Sequence, residues 1–203
     1  MSDEELSSKK FWTIPNIVTI LRLCLLPVFL WLLFGVHRQV AAGFLLAFLG
    51  VTDYVDGYVA RRFHQVSEFG KILDPVADRV LVATSVIATM WVGAVPAWFG
   101  IATLAREVLV SLAVVLIASL GGARIDVLWI GKCGAFALMV SYPMFLGACG
   151  GAWWQRGFMF GAWGFGLIGL ALSWAAAISY IAPARAALSR GRAARRALKP
   201  PTA

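Results

Sequence analysis

The sequence predicts an all-α integral membrane protein of about six transmembrane helices, preceded by a short N-terminal interfacial segment. Three observations predict it. The chain is 61% hydrophobic and only 14% charged, with a mean hydropathy of +0.81, which is outside the globular range. Its apolar residues fall into stretches near the roughly 20 residues needed to cross a hydrocarbon core of about 30 Å. Lys and Arg gather in alternate connections, the pattern of loops retained in the cytoplasm.

Residues 1–15 run from acidic to basic and end near Phe11 and Trp12, with no small-residue cleavage site. They read as an interfacial segment rather than a removed signal peptide. The expected spans are 16–36, 40–62, 67–92, 97–120, 127–149 and 158–181. Residues 16–185 form one membrane domain, and 186–203, rich in Ala and Arg, form a basic cytosolic tail expected to be disordered. Lys9, Lys10, Arg61, Arg62, Lys71, Arg124 and the C-terminal run fall on one side, against His37, Arg38 and Arg156 on the other. Both termini and the connection near His64 are therefore expected on the cytoplasmic face of a multi-pass cell-membrane protein. Gly93, Pro96 and Trp98, then Gly150, Gly151, Trp153 and Trp154, mark the far-side turns and an aromatic belt.

The net charge of +8 does not point to nucleic acid, because the basic residues flank spans and no stacking module accompanies them. Cys24, Cys133 and Cys149 lack paired spacing and read as small apolar packing residues, which excludes a disulfide framework or a zinc knuckle.

Against this background, residues 53–78, DYVDGYVARRFHQVSEFGKILDPVAD, stand out. An Asp at membrane depth costs roughly 2.5–3.5 kcal/mol on insertion scales, and here there are Asp53, Asp56, Asp74 and Asp78. Asp53, Asp56, Gly57 and Ala60 stand at i, i+3, i+4 and i+7, one helix face; Gly70, Asp74 and Asp78 share a face of the next helix. A hairpin about the polar connection would oppose the two carboxylate pairs. Such a set repels unless neutralised, and oxygen-only donors suit hard divalent cations such as Mg²⁺ or Mn²⁺. Gly57, Ala60 and Gly70 leave room for a ligand, Arg61 offers a cation for phosphate, and Pro75 is expected to loosen its helix by removing one backbone donor.

Asp53, Asp56, Gly57, Ala60, Arg61, Gly70, Asp74 and Asp78 match every fixed position of D-x2-D-G-x2-A-R-x8-G-x3-D-x3-D. The chain thus resembles the CDP-alcohol phosphatidyltransferases, six-span membrane enzymes of about this length and commonly dimeric. The resemblance implies attack of an acceptor hydroxyl on the phosphatidyl phosphorus of CDP-diacylglycerol, with CMP leaving. It implies that the four aspartates hold two divalent cations, that Asp78 is the base, and that Gly57, Ala60, Arg61 and Gly70 accommodate CDP.

Further polar residues lie within the spans. Asn16, Thr19 and Arg22 recur every three residues in PNIVTILR; Asn16 and Thr19 are similar to the family's first-span contribution at the nucleotide end, and Arg22 is expected to reach phosphate or a carboxylate. Arg106 beside Glu107, and Lys132, are candidates for binding a phosphate-bearing alcohol acceptor, with an Arg106–Glu107 structural pair as the plainer reading of the first two. LDPVAD and AREV resemble the glycerophosphate branch, favouring glycerol 3-phosphate, although Arg79 stands where that branch usually has Lys. GKCGAFALM resembles the CDP-alcohol type of cardiolipin synthase, whose acceptor is phosphatidylglycerol. An intramembrane cation transporter is the alternative from another class, but no internal repeat or pair of broken helices supports it.

Overall fold

Among the described residues six long helices follow one another: α1 (Ile14–Leu30), α2 (Gln39–Phe63), α3 (Gly70–Trp91), α4 (Ala97–Ser119), α5 (Trp129–Ala148) and α6 (Gln155–Ser179). The computed structural model describes residues 14–63, 70–119, 129–151 and 153–179, with the backbone alone at 14–15, 53–63, 70–75, 114 and 116–119. No strand occurs among the described residues. The expected interfacial segment before Ile14 and the basic tail lie outside them, as does the connection between Phe63 and Gly70.

Each expected span coincides with a helix to within a few residues. Asn16–Gly35, Trp129–Ala148 and Gln155–Ser179 are long and apolar enough to cross a membrane. The other three helices, of 25, 22 and 23 residues, are as long, but each carries charged side chains within it.

Local chemistry explains the interruptions. Pro15 occupies the first turn of α1, where its missing N–H costs nothing. Pro27 removes a donor further along, and α1 passes into a π-helical turn, Trp31–Gly35, before the chain reverses. The reversal places His37 in the left-handed region at φ 52°, and the later far-side turns use Gly93 (φ 72°) and Gly151 (φ 65°), where glycine adopts that conformation without steric cost. By contrast, α3 runs as continuous helix through Pro75, so the loosening expected there does not interrupt it.

Packing is closest between α5 and α6; α2 lies against α5, and α1 against both α2 and α3. The core is built from Phe29, Leu33, Leu49, Val86, Phe99, Phe145 and Leu146, each almost fully buried. At the far-side end, Phe99, Phe145 and Trp163 form a triangle of rings with centroids 5.4–5.9 Å apart, and Trp98 stacks on Trp163 at 5.9 Å. Within the helices, Ser85, Thr89 and Thr103 donate to carbonyls four residues back at 2.7–3.0 Å, so their hydroxyls need no water. Trp91, Trp129 and Trp153 project from helix ends with about four-fifths or more of their surface exposed, as an aromatic belt requires.

Candidate active site

Asp53, Asp56, Gly57, Ala60 and Arg61 occupy the last turns of α2, and Gly70, Asp74 and Asp78 the first turns of α3. Only six residues separate the two helices, so all eight positions fall at one end of the bundle. The side chains of Asp53, Asp56, Ala60, Arg61 and Asp74 lie outside the described ones. Among the described residues there is no cluster of three or more His, Cys, Asp or Glu able to hold a metal.

Asp78 is the member of the set whose surroundings are described. Its side chain is 47% exposed, and its Oδ1 accepts from Arg22 Nη1 at 3.2 Å; the Arg22 side chain is 3% exposed. Helix register produces this contact. Asn16, Thr19 and Arg22 form one buried stripe on α1, at 1%, 2% and 3% exposure. Because the chain reverses after α1 and again after α2, α1 and α3 run parallel with both N-termini at the signature end. Thr19 is about 4.5 Å and Asn16 about 9 Å nearer that end than Arg22, level with the opening turns of α3. A polar wall thus stands beside Asp78, and the expected reach of Arg22 to a carboxylate is met.

A second ionic group joins α3 to α4. Glu107 pairs through one oxygen with Arg79 and through the other with its neighbour Arg106. The Arg106–Glu107 pair was legible from adjacency alone, but Arg79 as third member was not, although a charge inside a span always requires a partner. Glu107→Gln would leave two guanidinium groups without this carboxylate's charge. About 1–3 kcal/mol of stability should be lost, discounted because Arg79 is half exposed, as read from thermal unfolding in detergent.

Arg106 is buried, whereas Lys132 is exposed on the first turn of α5, with Nζ 5.6 Å from the centroid of the Trp129 ring. The Tyr142 hydroxyl donates to Thr103 Oγ1 at 2.9 Å and fixes the register of α4 against α5. Counting from that bond, Arg106 lies about 4.5 Å and Lys132 about 15 Å towards the signature end, so they stand at two levels some 10 Å apart.

The described side chains at this end are thus a half-exposed carboxylate, Asp78, beside the buried polar stripe of α1, with a second ionic group joining α3 to α4. A family model described as CDP-alcohol phosphatidyltransferase matches residues 12–179. The chain belongs to this family. This phosphatidyltransferase is 32% identical over 190 residues to a Streptomyces coelicolor protein named cardiolipin synthase (CMP-forming), covering 91% of this chain and 88% of the relative. It is 34% identical over 143 residues to an Escherichia coli protein named CDP-diacylglycerol–glycerol-3-phosphate 3-phosphatidyltransferase, covering 66% and 77%. A Pseudomonas fluorescens protein of that same name is 36% identical over 132 residues, covering 61% and 64%. Membership removes the need for the transporter reading, and with the apolar helices it makes the chain a membrane enzyme.

Proposed function

We propose that this phosphatidyltransferase moves the phosphatidyl group of CDP-diacylglycerol to a glycerol hydroxyl borne by a phosphate-containing alcohol, with release of CMP. The observation that carries the reading is Asp78: last carboxylate of a complete signature, one oxygen on Arg22 and half its side chain open. The Asp78 carboxylate takes the proton of the acceptor hydroxyl, the freed oxygen bonds to the phosphatidyl phosphorus, and the bond from that phosphorus to CMP breaks. CMP leaves with the electron pair. Arg22 holds the carboxylate in place from the α1 side, while Asn16 and Thr19 offer hydrogen bonds where the nucleotide would lie.

Asp53, Asp56, Asp74 and Asp78 would hold two divalent cations, Mg²⁺ or Mn²⁺. The fit rests on donor chemistry, because the four aspartates of these two consecutive helices offer oxygen donors, and hard cations take oxygen ligands. When bound, paired cations neutralise charge on a pyrophosphate and its leaving group. Gly57, Ala60 and Gly70 leave room for CDP on the same helix faces, with Arg61 beside them. In this reading the signature end and both termini face the cytoplasm, which the positive-inside bias of the connections supports, all six helices cross the membrane, and the active unit is a homodimer.

Phosphatidylglycerol is the acceptor we favour, since the relative named cardiolipin synthase aligns over 91% of the chain, against 61% and 66% for those named for glycerol 3-phosphate. Glycerol 3-phosphate, the preference of LDPVAD and AREV, is the second reading. Purified protein given labelled CDP-diacylglycerol, Mg²⁺ or Mn²⁺ and each acceptor in turn decides between them. CMP release with phosphatidylglycerol is the expected result; release with glycerol 3-phosphate alone reassigns the acceptor, and release with neither sinks the reading. Lys132→Ala should raise the acceptor KM several-fold with kcat little changed, and an equal fall in kcat at constant KM removes Lys132 from acceptor binding.

A further inference from the structure

We propose that the cavity at the far end of the bundle, where α2 begins, binds the phosphate of an anionic membrane phospholipid. The cavity has a volume of about 420 Å³ and lies between the turn after α1 and the end of α5. His37, Arg38 and Gln39 line its polar part, Val40 and Phe44 its apolar part, and Gly150 closes it from α5. It is separate from the candidate active site, because Arg38, just ahead of α2, and Asp53 within it are fifteen positions apart, roughly 22 Å of helix rise.

Charge identifies the occupant. No Asp or Glu occurs at 31–52, 80–106 or 127–203, so the helices and turns at this end bring no carboxylate to Arg38. The counter-ion has to come from outside the chain. The same turn supplies further donors. Arg38 N–H is bonded to Leu32 carbonyl at 2.8 Å, and the following amides of Gln39, Val40 and Ala41 open α2 without acceptors inside the helix.

Shape identifies it as a lipid rather than free phosphate. Phe44, Phe48 and Val51 follow the cavity along α2 at i, i+4 and i+7 and are 64%, 56% and 62% exposed, an apolar stripe about 10 Å long for an acyl chain. A cationic mouth without carboxylates above such a stripe complements an anionic headgroup. It offers nothing to the ammonium of a zwitterionic one.

The test uses the full-length protein in neutral detergent, offered phosphatidic acid or phosphatidylcholine, with retained lipids counted by native mass spectrometry. Phosphatidic acid is neither donor nor acceptor in the proposed reaction. The wild type should retain one phosphatidic acid in preference to phosphatidylcholine, and Arg38→Ala should weaken that retention at least tenfold. Arg156→Ala, which removes a cation outside the cavity at the same end, should not. Equal retention by wild type and Arg38→Ala, equal loss in both variants, or no preference over phosphatidylcholine overturns the proposal. A photoreactive phosphatidic acid on the unmodified protein gives a second reading: labelling within 37–51 supports the site, and labelling confined to other segments overturns it. Inorganic phosphate competing as well as the lipid would reassign the cavity to a free anion.

Discussion

Asp78→Asn should give a folded protein whose CMP release is slower by two to four orders of magnitude, the span associated with losing a positioned general base. The substitution keeps an oxygen that can accept from Arg22 Nη1, now at 3.2 Å from Oδ1, so the contact between α1 and α3 persists. What it removes is the group able to take a proton. The kcat should therefore fall while the acceptor KM stays within a few-fold, and a single-turnover measurement should find chemistry slowed rather than product release. Arg22→Lys separates positioning from basicity: it keeps the charge but not the planar fork, and some activity should survive. If Asp78→Asn retained more than a tenth of wild-type kcat, the proton would have another destination and Asp78 would be a structural ion-pair member.

Gly169→Val should be the most destabilising single change between α5 and α6. A Cβ at Gly169 would stand 2.8 Å from Leu138 N and 3.0 Å from both Ala137 Cβ and Gly134 O, and one at Gly134 would stand 2.8 Å from Ser173 N. Three of those four neighbours are backbone, which cannot turn aside as a side chain can, so the helices must part. Overpacking of this kind costs about 1–3 kcal/mol, and separation would also strain the Ser141 hydroxyl bond to Ala162 carbonyl at 2.8 Å. Gly157 and Gly164 on the same helix have nothing within 4 Å of an added Cβ. Gly157→Ala and Gly164→Ala should be neutral or stabilising by up to about 1 kcal/mol, since Ala is the better helix former. Thermal unfolding of the purified variants in one detergent checks the order, and similar losses at Gly169 and Gly164 would refute close packing as the cause.

Much of the candidate site was legible because its residues are near one another in the chain. Eight positions within residues 53–78 lie on two consecutive helices; 3.6-residue periodicity sets their helix faces, and the six-residue connection keeps them at one bundle end. The contacts of Asp78 and Glu107 were not legible in that way. Arg22 is 56 positions from Asp78, and Arg79 is 28 from Glu107. The described contact of Lys132 is local instead, its Nζ lying 5.6 Å from the ring centroid of Trp129 three positions earlier.

The sequence by itself determined the six helices, the two of them that carry the signature positions and the family, because span length, charge placement and the signature are all local. Only the tertiary structure decided which face of each helix meets protein. Phe29 is buried and Phe44 is 64% exposed, although both are aromatic residues of apolar helices. In a membrane the lipid tails are as apolar as the core, so hydrophobicity does not separate an inward side chain from an outward one. Close backbone approach does, and it is set by where small residues such as Gly134 and Gly169 meet.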